Sequence, residues 1–113
     1  MSPIHDIKTK LEQASELNDA LFREVLETLQ PDMTHGIRAF WEAGACENAA
    51  LVLVERMLPG HLWRLDKDDG AYEAFIWADP KDGHVGSARS KTPALALLIA
   101  LLTALTTDGG RDG

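Results

Sequence analysis

Residues 92 to 105, TPALALLIALLTAL, restrict the folds open to this chain more than any other stretch. From Ala94 to Leu105 there is no charge, and Thr103 is the only polar side chain. Thr92 suits an N-cap and Pro93 the first helical position, so the segment reads as a helix. A helix that is apolar all round is one that is packed all round. The run is too short for a bilayer, which needs about 20 apolar residues. The expectation is therefore a buried core helix. Its far side needs cover from the first helix, from a second subunit, or from both.

The remaining elements follow from periodicity and turn residues. Ile4, Ile7, Leu11, Ala14, Leu17, Leu21, Val25 and Leu29 recur in steps of three and four, which predicts one long helix over residues 3 to 29. Ser2 and Pro3 suit its start, and Pro31 its stop. DMTHGIRAFWEAG, residues 32 to 44, reads as a short second helix closed by Gly44. CENAALVLVERML, residues 46 to 58, reads as a third, ended by Pro59-Gly60.

The period then changes to two. HLWRLDK (61–67), AYEAFIWA (71–78) and HVGSA (84–88) are strand candidates, joined by DDG (68–70) and DPKDG (79–83) with glycine where positive φ is wanted. Connections this short imply antiparallel neighbours. The expected fold is α+β in the order α-α-α-β-β-β-α, a three-stranded antiparallel meander layered between helices as an α/β/α sandwich. Apolar residues on both faces of the second strand, Tyr72, Ala74 and Ile76 against Phe75 and Trp77, are the reason to expect cover on both sides. Residues 1–106 form one domain, with 1–44 a helical N-terminal extension of a core at 45–106. TDGGRDG, residues 107–113, is expected to be a flexible tail.

The segments LPGHLWRL, GAYEAFIW and TPALALLIALLTAL together resemble the small bacteriophage proteins described as α/β/α-sandwich domain proteins. In that pattern an apolar helix ends in Pro-Gly, an aromatic opens a strand, a hairpin follows, and a Thr-Pro-Ala-Leu-Ala helix closes the domain. The resemblance covers roughly residues 45 to 105 and leaves 1 to 44 outside it. It implies a phage or prophage origin and a sandwich fold, and it brings no catalytic residues with it.

Charge and motif searches narrow the function classes. Eighteen acids against eleven bases give a net charge of −7, so clustered Lys and Arg for a duplex nucleic acid are missing. An acidic surface suits solubility or a basic protein partner. The single cysteine, Cys46, excludes an internal disulfide and reads as a small buried residue. The N-terminal MSPIHDIKTKLEQ has no apolar signal region, and the expected compartment is the cytoplasm, the host's if the chain is phage-encoded. His5, His35, His61 and His84 show no metal-ligand spacing. DKDDG fails the calcium-loop register, since Gly70 and Trp77 stand where ligands are needed. No nucleophile or acid–base pair is legible. The chain is read as a non-enzyme without cofactor or metal.

GSARSKT, residues 86–92, is the segment with the most chemistry. Arg89 and Lys91 are two bases within three residues, Ser87, Ser90 and Thr92 add hydroxyls, and the stretch runs into a helix N-terminus, which attracts anions. With Trp77 as a stacking surface, Ser87, Arg89, Ser90, Lys91 and Thr92 form a candidate anion or nucleotide site. Three functions stay open. One is an acidic phage accessory protein that binds a host or phage protein with a basic surface, as an inhibitor of a host defence complex does. Another is a sponge for a small nucleotide. The third is a structural module of a phage particle, homo-oligomeric through the first helix. None involves duplex nucleic acid or a membrane.

Overall fold

The computed structural model describes residues 3–29, 35–77 and 86–112, with 35, 36, 38 and 107–112 as backbone only. Among the described residues five helices and three strands follow one another as α1 (Pro3–Gln13), α2 (Asp19–Leu29), α3 (His35–Glu42), α4 (Cys46–Met57), β1 (Leu62–Asp68), β2 (Ala71–Trp77), β3 (Gly86–Ser90) and α5 (Pro93–Asp112). The strands form one antiparallel sheet in the order β1-β2-β3. The α+β class and the meander are thus as the sequence predicts.

Local chemistry explains most boundaries. β1 and β2 close through Asp69 (φ 53) and Gly70 (φ 78), two consecutive positive-φ residues as a type I′ hairpin turn demands. Pro59-Gly60 turns the chain out of α4, with the His61 N–H donating to the Leu58 carbonyl at 3.2 Å and Gly60 at φ 80, which is type II geometry. α3 ends in a Schellman motif: Ala45 N–H reaches the Phe40 carbonyl at 2.8 Å and Gly44 N–H the Trp41 carbonyl at 3.0 Å. At the start of α5 the Thr92 hydroxyl oxygen accepts from Leu95 N–H at 3.1 Å. Ser2, Pro31, the 79–83 turn and His84 lie outside the described residues.

The single long first helix is corrected to two. The chain breaks between Gln13 and Asp19, where Asn18 caps α2 by accepting from Leu21 N–H at 2.8 Å. A straight helix over 3–29 would run about 40 Å at 1.5 Å per residue, whereas the longest extent of the molecule is 36 Å. Folding back lets both halves reach the core, Ile7 and Leu11 from α1 and Phe22 and Val25 from α2. Lys10 and Glu24 pair across the bend at 2.8 Å.

α5 is the centre of the molecule. Every residue from Ala94 to Leu102 is buried, as is Ala104. The Thr103 hydroxyl donates to the Ile99 carbonyl at 2.8 Å, which satisfies the one polar group within the run. One side of α5 packs on β2 and β3; α1 and α4 pack on α5 as well. The first helix therefore does cover the apolar run. The layering, however, is sheet, then α5, then α1 and α4, and not a sheet between helices. Among the described residues the sheet has one helix-covered face, that of Ala74 and Ile76, and the face of Phe75 and Trp77 carries no helix.

Candidate functional site

The pairing register decides which side chains share the uncovered face. Leu62 opposes Trp77, Arg64 opposes Phe75, and Asp66 opposes Glu73. On the other side of β2, Phe75 opposes Ser87 and Glu73 opposes Arg89. Cross-strand partners point the same way, so Leu62, Phe75 and Trp77 form an apolar group at one end of this face. Asp66, Asp68, Glu73 and Arg89 form a charged group at the hairpin end. Leu62 is 42% exposed; Phe75 and Trp77 are half-buried.

The charged group is internally paired. Arg89 Nη1 stands 3.6 Å from Glu73 Oε1 and 3.8 Å from Asp68 Oδ2, while Nη2 donates to the Asp68 carbonyl at 3.2 Å. Arg64 Nε lies 3.0 Å from Asp66 Oδ2. Two carboxylates facing Arg89 repel a phosphate that would approach it.

The segment proposed for anion binding is thus divided. Ser87, Arg89 and Ser90 belong to strand β3 and not to a loop, because the strand runs on two residues past Ala88 and Gly86 packs on α5. Ser87 and Arg89 lie on the open face with Trp77, whereas Ser90 pairs with Tyr72 on the α5 side. Lys91 is exposed, and Thr92 is engaged as the helix cap. The first turn of α5 sits in the core, with Ala94 at 4% and Leu95 at 0% exposure. Trp77 is four positions along β2 from Glu73, the neighbour of Arg89, about 13 Å at 3.3 Å per residue. Phe75 and Ser87 stand between them.

The other aromatic residues divide between core and surface. Trp41 of α3 stacks on Phe22 of α2, with ring centroids 4.3 Å apart and planes at 12°, and its Nε1–H donates to Asp19 Oδ1 at 2.8 Å. These groups line a cleft between α2 and α3 together with Arg23 and Glu42, and Arg23 pairs with Asp19 at 3.1 Å. Tyr72 packs against the core, with the Lys67 ammonium 5.6 Å from its ring centroid. Trp63, at 41% exposure, projects from the edge strand. Cys46 opens α4 as a half-buried free thiol, more exposed than a core residue. His5 is exposed; the Nδ1 of His61 is buried and has no hydrogen-bond partner among the described residues. Among the described residues no group of three metal-binding side chains converges, and no helix is long and apolar enough to cross a membrane.

Comparison with protein-family models, with curated proteins and with solved structures finds no match in any of the three.

The residues that sequence reading missed are Phe75 and Leu62. Their alternation with Ala74 and Trp63 is plain in the sequence, but alternation tells which residues share a face and not which face is covered.

Proposed function

We propose that this chain is a small protein-binding module whose docking surface is the open face of its sheet. The observation that carries the reading is the apolar group Leu62, Phe75 and Trp77 on a face that no described helix covers. Apolar and aromatic side chains clustered at a surface are the usual anchors of an interface core, and in this group Leu62 is exposed while Phe75 and Trp77 are half-buried. Asp66, Asp68 and Glu73 outnumber their partners Arg64 and Arg89 on that face, in a chain of net charge −7, so the fitting partner carries an apolar patch flanked by basic residues. With the resemblance to phage sandwich-domain proteins, the partner class is a host or phage protein, and inhibition of a host defence complex is one such role.

A nucleotide sponge would need Trp77 and Arg89 to hold one ligand, and the paired carboxylates at Arg89 speak against it. Self-association through the first helix would need the continuous stripe that the break before Asn18 interrupts.

The test is affinity capture from host lysate with the wild-type chain and with Phe75→Asp, each checked for fold by circular dichroism. A basic protein retained by the wild type and lost by F75D is the expected result. Equal retention by both puts the docking surface elsewhere, and no retained protein overturns the reading.

A further inference from the structure

The outer edge of β1 bears a second surface. β1 is an edge strand of seven residues, each paired one to one with β2, without proline or bulge. Edge strands of this length are templates for further pairing unless something blocks them. Among the described residues α5 lies mainly over β2 and β3, and of β1 only Leu65 packs against the core. Leu62 and Trp63 are 42% and 41% exposed, and Arg64, Lys67 and Asp68 are exposed as well.

Its backbone is set for a new strand. The two-residue turn makes Asp68 and Ala71 the hydrogen-bonded closing pair of the hairpin. Alternation along an antiparallel ladder then directs the N–H and C=O groups of Trp63, Leu65 and Lys67 away from β2.

Set antiparallel about Leu65, the central five residues of LWRLDKD are their own complement, while the ends place Leu62 against Asp68. Two copies set in that register bring Leu65 to Leu65, Arg64 to Asp66 and Trp63 to Lys67, each of the last two pairs occurring twice. Arg64 and Asp66, now paired within one strand, would join a four-charge cluster on the open face. Lys67, already over Tyr72, would gain the second copy's Trp63 on its other side, a cation–π arrangement. Registers shifted by two residues oppose Arg64 to Arg64 or Asp66 to Asp66, and like charges directly opposite are unfavourable. Shifts by one residue place outward-directed backbone groups against inward-directed ones and form no ladder. β3, with Ser87 opposite Arg89 about Ala88, has no comparable symmetry.

We infer that the partner of β1 is a second copy of this chain, joined β1 to β1 about Leu65 into one six-stranded antiparallel sheet with both α5 helices on the same side. This holds whether or not the open face docks another protein.

Sedimentation equilibrium of the full chain tests it, with Arg64→Glu, with the double variant Arg64→Glu/Asp66→Arg, and with circular dichroism as the check on folding. The wild type is expected to be a reversible dimer. R64E sets Glu against Asp twice and should raise the dissociation constant by roughly tenfold or more; the double variant restores opposite charges and should return it towards the wild-type value. A wild type that stays monomeric at every concentration, a dimer indifferent to R64E, or a double variant that fails to recover each overturns the inference.

Discussion

At position 86 the backbone of β3 lies against α5 so closely that a Cβ atom would collide with the Ala100 carbonyl oxygen and come within 2.9 Å of Ala104 N. Both obstacles are backbone in a buried helix and cannot swing aside as a side chain does. Glycine there is a requirement of packing and not of backbone dihedral. Gly86→Ala is therefore expected to destabilise the protein by about 1–3 kcal/mol, the usual range for overpacking, measured as a lower urea midpoint at unchanged slope. Gly70, with open space around its missing Cβ and φ 78, is held by the opposite reason: the turn needs its positive φ and nothing crowds it.

Among the elements, those written in local chemistry are the ones a reader of the sequence finds. The β1–β2 hairpin, the stop after α4 and the start of α5 each have their glycine, proline or threonine at the position where the backbone needs it. The break between α1 and α2 was hidden because Leu11, Ala14, Leu17 and Leu21 keep a helical interval straight through it, and Asn18 is the one sign of a new cap. Asn18→Ala should cost about 0.5–2 kcal/mol, as lost N-caps do, read as a lower Tm. An effect near zero would mean that core packing alone holds the bend. The candidate site was legible only in part. Trp77, Ser87 and Arg89 do share a face, but the pairing that commits Arg89 to Asp68 and Glu73 depends on a register fixed by α5 against Gly86, and no local motif encodes it.

For the whole molecule the decisive fact is that one helix holds all the layers together. Leu95, Leu97, Leu98, Ile99, Leu101 and Leu102 are at most 4% exposed. At about 1.5–3 kcal/mol for each large apolar side chain buried, together they contribute as much as the roughly 5–15 kcal/mol net stability of a typical domain. A chain ending at residue 92 is expected to lack a cooperative thermal transition, and retention of one would show that the sheet and N-terminal helices hold a core of their own.

The same helix stands last among the elements in chain order. During synthesis α1, α4 and the sheet leave the ribosome before the helix they pack against exists. Their apolar faces must wait in the open until Pro93 and its successors emerge, so this fold forms late and all at once rather than growing from its N-terminus.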